Sequence, residues 1–251
     1  MSTDWTEIKN KLVDIGGNTF NWLSRFFPGV PSHSSEQNIR QGLSHWPDKA
    51  VTMIGLDGLD NIELVMNDIL ANNVEGDILE AGVWRGGAAI FIKKMLQNKN
   101  SNKKLYVCDS FEGLPKPQTD RYNNSIEAQD THYAKNDYLG VSLETVQENF
   151  KTYDAIDGNV IFLKGWFHET LNSDQIGRLS LLRMDGDMFS STQDILNNLY
   201  DKVVSGGYII IDDYGLGCCK EAIHEWFNKK GVNIQAKLKL VNHSIAYFKK
   251  D

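Results

Sequence analysis

The sequence predicts a single α/β domain built on a mostly parallel sheet of seven strands, with helices on both faces. Apolar strand-like runs recur in order at residues 77–83, 104–109, 160–164, 179–184, 207–211, 237–241 and 245–249. Helical patterns occupy most of the intervals, at residues 88–98, 143–153, 192–199 and 219–230. Strands that alternate with helices favour a parallel sheet covered on both sides. The last two runs are close enough to form an antiparallel hairpin.

Length and composition fit one domain with an N-terminal extension. The chain has 251 residues, of which 41% are hydrophobic, and this is enough for a sizeable core. We expect residues 1–50 to form a helical extension and residues 51–251 to form the α/β domain. In the extension, apolar spacing predicts an amphipathic helix over residues 9–27, which Pro28 and Pro31 end. A second helical pattern covers residues 60–72.

Charge and cysteine content exclude several classes of protein. The net charge is −7, so the chain lacks the basic surface expected of a nucleic-acid-binding protein. The chain has three cysteines, Cys108, Cys218 and Cys219, which are too few for a disulfide framework. This favours a reducing compartment, and we therefore predict a cytoplasmic location. No apolar run reaches the roughly 18 residues of a membrane helix, and the N-terminus lacks the pattern of a signal peptide. We therefore expect neither a nucleic-acid nor a membrane partner.

The most specific motif follows the first predicted strand. Glu80 precedes the segment Gly82-Val83-Trp84-Arg85-Gly86-Gly87, and an apolar helical run comes next. Glycines let a ligand approach the backbone, and open α/β sheets bind ligands at the carboxyl ends of their strands. A pyrophosphate would favour a bare helix N-terminus here, whereas the carboxylate of Glu80 suits a cationic amine. S-adenosylmethionine carries a sulfonium and an ammonium, so the motif predicts this cofactor.

Two acidic pairs follow neighbouring strands of the predicted sheet. Asp185 and Asp187 come after the fourth strand, and Asp212 and Asp213 come after the fifth. Four carboxylates at one edge would repel one another unless a positive group lies among them, and a divalent cation such as Mg²⁺ suits such oxygen ligands. Such a cation would lower the pKa of a substrate hydroxyl, and one carboxylate would accept its proton as the general base. The alternative is that these acids are solvated turn residues.

Three further strand ends offer candidate cofactor contacts. Asp109 follows the second strand, where an acid often holds a ribose diol, although it could instead cap a turn with Ser110. Gly165 and Trp166 follow the third strand, and Trp166 either flanks an adenine or belongs to the core. Arg85 either contacts the ligand or pairs with nearby acids.

One segment interrupts the alternation of strands and helices. Residues 114–140 carry two prolines, many polar residues and the tyrosines Tyr122, Tyr133 and Tyr138. The segment follows the second strand on the ligand side of the sheet, where long insertions commonly form lids or substrate loops. We interpret it as a lid. His132 lies within it and is a candidate base or substrate contact, although a lone loop histidine is more often simply solvated.

Six motifs in this order resemble those of the macrocin O-methyltransferase family. They are Thr52-Met53-Ile54-Gly55, Gly82-Val83-Trp84-Arg85-Gly86-Gly87, Asp109-Ser110-Phe111-Glu112-Gly113-Leu114-Pro115, Gly165-Trp166-Phe167, Asp185-Gly186-Asp187 and Asp212-Asp213-Tyr214-Gly215. The family is similar to other class I methyltransferases, which have a Rossmann-like sheet. The resemblance implies a homo-oligomer that uses S-adenosylmethionine and Mg²⁺ to methylate a hydroxyl of a sugar or glycosylated natural product.

The resemblance also implies roles for individual residues. The metal, Mg²⁺ or Mn²⁺, would be held by Asp185, Asp212 and Asp213. Asp185 would be the base, with Asp187 as its rival. The cofactor would be held by a set that spans the turn and the strand ends: Glu80, Gly82, Trp84, Arg85, Gly86, Asp109, Ser110, Gly165, Trp166 and Asp185, with Thr52 and Met53 closing over it.

Other functions remain open at the level of the sequence. A phenolic acceptor would use similar metal chemistry, and the three lid tyrosines would serve either acceptor. A nucleotide-dependent oxidoreductase is disfavoured because Gly-x-x-x-Gly-Gly is not the Gly-x-Gly-x-x-Gly fingerprint. A non-catalytic scaffold is disfavoured because the acids are present after both strands.

Overall fold

The computed structural model describes residues 3–13, 50–116 and 139–251. Its strands are β1 (Asp77–Ala81), β2 (Leu105–Asp109), β3 (Val160–Lys164), β4 (Leu179–Met184), β5 (Val203–Ile211), β6 (Lys239–Leu240) and β7 (Ala246–Lys249). Its helices are α1 (Thr6–Leu12), α2 (Gly55–Ala71), α3 (Gly87–Asn98), α4 (Leu143–Thr152), α5 (Phe167–Thr170), α6 (Phe189–Leu199) and α7 (Gly217–Lys229). Two 3₁₀ turns cover Tyr200–Lys202 and Ile234–Ala236.

The seven strands form one sheet in the order β3-β2-β1-β4-β5-β7-β6. Strands β1 to β5 pair in parallel, whereas β7 runs antiparallel to both β5 and β6. The predicted fold class, including the C-terminal antiparallel hairpin, is confirmed. The chain direction across the sheet reverses between β1 and β4, and this switch point is where open α/β sheets place their ligands.

The core lies in two layers, one on each face of the sheet. One layer joins strand residues such as Ile78 and Val107 to α2, α3 and α4. The other joins strand residues such as Leu79 and Tyr106 to α6 and α7. Parallel strands covered on both faces are expected to be nearly all apolar. Glu80 and Arg183 are charged residues that break this pattern in β1 and β4, and both are buried.

The first helix packs on the domain and reaches the ligand end of the sheet. The ring of Trp5 meets Phe91 edge-on at 5.7 Å, and the Lys9 ammonium lies 2.7 Å from Asp60. The carbonyl of Leu12 accepts a hydrogen bond from the Val51 N–H at 2.9 Å. The helix covers Thr6–Leu12, whereas the sequence predicted residues 9–27. Residues 14–27 of that prediction lie outside the described residues, and so do residues 117–138 of the predicted lid.

Several predicted boundaries shift for identifiable reasons. Strand β1 ends at Ala81 because Gly82 adopts a φ of 89°. Strand β5 begins at Val203, four residues earlier than predicted, because its register with β4 shifts near Gly206, which has a φ of 79°. The sequence did not predict the short helix α5.

Within residues 3–13, 50–116 and 139–251, no helix combines the length and apolarity needed to cross a bilayer.

Candidate active site

A cleft opens at the carboxyl end of the sheet, beside the switch point. The empty space in it, counted together with open solvent at its mouth, is about 710 Å³. Loops after β1, β2, β3 and β4 line it, together with the start of α6. Its lining includes the predicted residues Met53, Gly82, Trp84, Asp109, Ser110, Gly165, Trp166, Asp185 and Asp187. The edges of the predicted lid also line it, through Leu114, Pro115 and Leu139.

The glycine turn, residues 82–87, owes its glycines to close backbone packing. A Cβ on Gly82 would lie 1.6 Å from the carbonyl oxygen of Asp185, so only glycine fits between the ends of β1 and β4. A Cβ on Gly87 would lie 2.5 Å from the carbonyl oxygen of Val51. The Gly87 N–H donates to that same oxygen at 2.8 Å. The start of α3 is therefore covered by the protein chain, beside buried Thr52, and is not a bare anion site.

Arg85 holds the glycine turn to the segment before α2. Its Nη1 donates to the Ala50 carbonyl at 2.8 Å, and its guanidinium lies 4.4 Å from the centre of the Trp84 ring. The side chain amide of Asn149 in turn donates to the Arg85 carbonyl at 2.9 Å. The two sequence alternatives, a ligand contact and an ion pair with nearby acids, both stay predictions beside these contacts. The described geometry gives Arg85 a part in fixing the turn.

The carboxylate of Asp109 is held by main-chain donors. One oxygen accepts from the Val83 N–H and the other accepts from the Phe111 N–H, both at 2.8 Å. Ser110 donates its hydroxyl proton to the Gly113 carbonyl at 2.7 Å. Burial raises the pKa of Asp109, and the main-chain donors oppose that rise. Asp109 thus ties the β2 loop to the glycine turn while it lines the cleft.

The third strand contributes an aromatic wall. Gly165 has a φ of 143°, and its N–H continues the sheet by donating to the Asp109 carbonyl at 3.0 Å. Trp166 follows at the start of α5, is only partly buried and lines the cleft. Between the two sequence alternatives for Trp166, the geometry therefore favours the cleft over the core.

A buried arginine that sequence analysis missed lies among the predicted acids. The guanidinium of Arg183, in β4, is only 1% exposed. Its Nη1 lies 2.6 Å from Glu80 and 2.9 Å from Asp185, and its Nη2 lies 2.5 Å from Asp212. The positive group expected among the acids is therefore in part a side chain of the protein. An arginine inside an apolar strand, as in Leu181-Leu182-Arg183-Met184, was the available signal, because a buried charge needs a partner.

Glu80 lies below the cleft and does not line it. It is 1% exposed, and one of its oxygens pairs with Arg183 while the other has no hydrogen-bond partner among the described residues. Burial, with the nearby charges of Asp185 and Asp212, raises the pKa of Glu80 to about 8 despite Arg183. A direct contact between Glu80 and a cofactor amine stays a prediction.

The acid rim, which we define as Asp185, Asp187, Asp212 and Asp213, contains a converging group of three. Oxygens of Asp185, Asp187 and Asp213 all lie within 4.8 Å of one another. Asp187 has a φ of 57° at the centre of a three-residue turn closed by the Met188 N–H and the Gly186 carbonyl, a strained geometry. The Asp187 N–H donates to the Asp213 carboxylate at 2.9 Å. Asp212 is not in this group, since it faces Arg183.

Burial and mutual repulsion perturb the acids that follow β5. Burial raises the pKa of Asp212 to about 7, with Arg183 opposing the rise and Asp185 adding to it. Burial, together with the charges of Asp187, Asp185 and Asp212, raises the pKa of Asp213 well above its usual range. Carboxylate oxygens grouped in this way suit a hard divalent cation such as Mg²⁺ or Mn²⁺. The donor set therefore fits the predicted metal, with Asp185 and Asp213 common to the sequence prediction and the converging group.

The far wall of the cleft was not predicted as a site. His168, Ser190, Ser191 and Asp194 line it, and an imidazole nitrogen of His168 lies 3.9 Å from the Asp194 carboxylate. Sequence analysis assigned these residues no role in the site, because no spacing rule links α5 to α6. His132, the predicted candidate base of the lid, lies outside the described residues.

Comparison with known sequences places this site in a family. The sequence profile of the Macrocin-O-methyltransferase (TylF) family matches residues 26–250. The chain is 43% identical over 193 residues to the demethyldecarbamoylnovobiocin O-methyltransferase of Streptomyces niveus, covering 76% of this chain and 72% of that relative. It is 39% identical over 198 residues to the mycinamicin III 3''-O-methyltransferase of Micromonospora griseorubida, covering 78% of each.

A third relative and two solved structures agree. The chain is 40% identical over 189 residues to the 8-demethyl-8-(2,3-dimethoxy-alpha-L-rhamnosyl)-tetracenomycin-C 4'-O-methyltransferase of Streptomyces olivaceus, covering 75% of this chain and 72% of that relative. The solved structure of the O-methyltransferase NovP superposes with a TM-score of 0.84 at 36% identity, covering 98% of this chain and 97% of that one. The calicheamicin methyltransferase CalS11, with a TM-score of 0.62 at 15% identity and coverage of 99% and 93%, shares the fold. The chain therefore belongs to the macrocin O-methyltransferase family and is an O-methyltransferase.

Proposed function

We propose that the protein is a metal-dependent, S-adenosylmethionine-dependent O-methyltransferase that acts on a hydroxyl of a sugar or glycosylated natural product. The observation that carries this proposal is the cleft, which is lined both by residues of the glycine turn and by Asp185 and Asp187 of the acid rim. The glycine turn suits the cofactor, and the acids suit a cation and the acceptor hydroxyl.

In this proposal the cofactor lies along the loops after β1, β2 and β3. Asp109 and Ser110 are placed to meet the ribose, and Trp166 offers a flat surface for the adenine. The glycine turn supplies backbone close to the methionine portion, and Met53 lies at the same cleft. Trp84 lines the cleft, and its neighbour Arg85 helps to fix the turn through the Ala50 carbonyl.

The metal would be held by carboxylates of the acid rim. We propose Asp185, Asp212 and Asp213, with Asp187 close beside them. Bound there, Mg²⁺ or Mn²⁺ supplies Lewis acidity that lowers the pKa of an acceptor hydroxyl. The protein contributes the dry base of the site, because Asp213 and Arg183 are buried.

The chain's own residues then carry the proton transfer. Asp185, which lines the cleft, accepts the proton of the acceptor hydroxyl as general base, with Asp187 as the rival. The hydroxyl oxygen forms a bond to the methyl carbon as the carbon–sulfur bond breaks, so the electron pair stays on sulfur and S-adenosylhomocysteine leaves. Alignment of the two reactants in one cleft is expected to supply a large share of the rate enhancement.

The acceptor class is inferred from relatives and from the polarity of the cleft. The relatives act on a rhamnosyl tetracenomycin, a novobiocin precursor and mycinamicin III, as their names state. Polar side chains of Ser190, Ser191 and Asp194 line the cleft beside its aromatic wall.

We also propose that the protein is a cytoplasmic homo-oligomer. Its cysteines support that compartment, since all three are free and buried.

The test is calorimetric titration of S-adenosylhomocysteine with and without Mg²⁺, followed by turnover assays on glycosylated metabolites. We expect micromolar binding and turnover that a chelator abolishes and Mg²⁺ or Mn²⁺ restores. Failure to bind S-adenosylhomocysteine under either condition would reject the cofactor assignment. Full turnover in the presence of a chelator would reject the metal.

A further inference from the structure

We propose that Arg183 is a positioning residue that fixes the acid rim, and that Glu80 acts through Arg183 rather than by touching the cofactor. This inference rests on the proposed function, because it assigns the buried residues that hold the metal-binding carboxylates in place. Arg183 is not part of the six motifs quoted above, since it lies inside β4 and does not line the cleft.

The register of the sheet brings three carboxylates to one guanidinium. Glu80 in β1 lies directly beside Arg183 in β4, and Arg183 lies beside Ile210 in β5. Side chains alternate along a strand, so Asp185 and Asp212, two residues beyond Arg183 and Ile210, project from the same face. The guanidinium thus contacts acids from the ends of three adjacent strands, at 2.5 to 2.9 Å.

The chemistry of the guanidinium makes it suited to this task. Its planar fork of N–H donors can meet several carboxylates in fixed directions, whereas a lysine ammonium is a single flexible point charge. Arg183 uses Nη1 for Glu80 and Asp185 and Nη2 for Asp212. One oxygen of Asp185 and one of Asp212 are thereby fixed, which sets the direction of each carboxylate at the rim.

Glu80 is the buried partner that makes this arrangement possible. A fully buried arginine is costly unless it is paired, and Glu80 is as deeply buried as Arg183 itself. Glu80 does not line the cleft, and its hydrogen-bonded contact toward the acid rim is the one with Arg183, at 2.6 Å. This explains a glutamate inside β1 without a contact to the cofactor.

A simple counter-ion role makes the opposite prediction for metal binding. If Arg183 only supplied positive charge, Arg183→Lys would keep the cation affinity of the rim. Removal of Arg183 together with Glu80 would then keep or strengthen cation binding, because the positive neighbour that repels the cation is gone. If Arg183 positions the carboxylates, both changes weaken cation binding.

The experiment measures Mn²⁺ affinity by electron paramagnetic resonance, at pH 8, for the full chain and three variants. Arg183→Lys keeps the charge and removes the fork. The double variant Glu80→Gln/Arg183→Met removes both buried charges, so it avoids an unpaired one and is expected to fold. Arg178→Lys is the matched control, since Arg178 precedes β4 and pairs with Glu75 on the exposed surface at 2.7 Å. Circular dichroism confirms that each variant is folded.

We expect Mn²⁺ to bind the wild type and Arg178→Lys equally, and to bind Arg183→Lys and the double variant about tenfold more weakly or worse. Equal or tighter binding by both Arg183 variants would overturn the positioning role and leave the metal site standing. A wild type that binds no Mn²⁺ would overturn the metal site and the positioning role together. The two failures are therefore distinguishable in one set of titrations.

Discussion

Asp109 and Asp213 follow parallel strands at the same edge of the sheet, yet their carboxylates are held in different ways. The oxygens of Asp109 accept from the main-chain N–H groups of Val83 and Phe111. The carboxylate of Asp213 accepts from one main-chain N–H, that of Asp187, and lies within a group of converging carboxylates. Main-chain donors hold Asp109 as part of the fold, whereas the surroundings of Asp213 carry an excess of negative charge that suits a cation.

The comparison predicts its largest effect at Asp213. Asp213→Asn should lower Mg²⁺-dependent turnover at least about 100-fold, because a metal-binding carboxylate is lost. The fold should remain, since the change also relieves repulsion within the group. Turnover assays at several Mg²⁺ concentrations, with circular dichroism, measure both. Unchanged activation by Mg²⁺ would show that Asp213 is a structural acid like Asp109.

A second prediction concerns Asp212 and Asp187. The sequence assigned Asp212 to the metal, whereas the converging group contains Asp187 in its place. Asp212→Asn should weaken Mn²⁺ binding about 10- to 100-fold, because Arg183 holds this carboxylate at the rim. Asp187→Asn should weaken Mn²⁺ binding by less than about tenfold, since Asp187 is proposed as the rival base and not as a ligand. Mn²⁺ titration of both variants measures the ranking, and the reverse order would exchange the two roles.

The main-chain donors that hold the Asp109 carboxylate predict a loss of stability when this residue is changed. Asp109→Asn replaces one acceptor oxygen with an amide that faces a main-chain donor, so one hydrogen bond is lost. We expect a loss of about 1–3 kcal/mol in the free energy of unfolding, together with weaker binding of S-adenosylhomocysteine. Urea unfolding measures the first and calorimetry the second. Asp174→Asn, an exposed acid, is the matched control, and equal stability of the two variants would contradict the structural role.

The same contrast marks how far the sequence could predict this molecule. The order of strands and helices, and the gathering of acids after β4 and β5, followed from apolar runs and from the rule that parallel strands end together. The partners of those acids did not. The contact between Arg183 and Glu80 depends on the lateral register of two strands that are about a hundred residues apart in sequence.

The sequence also did not reveal the backbone contacts that require particular residues in the glycine turn. Gly82 was interpreted as making room for a ligand, and the structure adds a second reason for a glycine there, because its missing Cβ makes room for the Asp185 carbonyl. Arg85 was predicted to contact a ligand or an acid, and the structure adds a bond to the carbonyl of Ala50, 35 residues earlier. Both depend on backbone atoms, which carry no residue-specific signal in a sequence. Side-chain type alone therefore indicated the site but not its scaffold.

The smallest predicted effect concerns the pH dependence of stability without metal. The pKa is raised from 4.5 to about 8 for Glu80 and from 3.8 to about 7 for Asp212. At a pH above those ordinary values, the folded state therefore binds more protons than the unfolded state. Stability is then highest below those ordinary values and falls as the pH rises through 7 to 8. A shift of one pKa unit between the folded and unfolded states corresponds to about 1.4 kcal/mol of stability. At about 2–4 °C per kcal/mol, this loss of stability lowers the melting temperature by several degrees.

Thermal unfolding in a chelator between pH 6 and 9 measures this fall, and added Mg²⁺ provides the contrast. A cation that binds only the folded state should restore the melting temperature at pH 8 but have little effect at pH 6, where protons compete for the carboxylates. Glu80→Gln should flatten the profile, because it removes one of the two groups with a raised pKa. A melting temperature that rises with pH in the chelator would instead mean that Arg183 keeps Glu80 and Asp212 ionised, so that the acid rim resembles the satisfied carboxylate of Asp109.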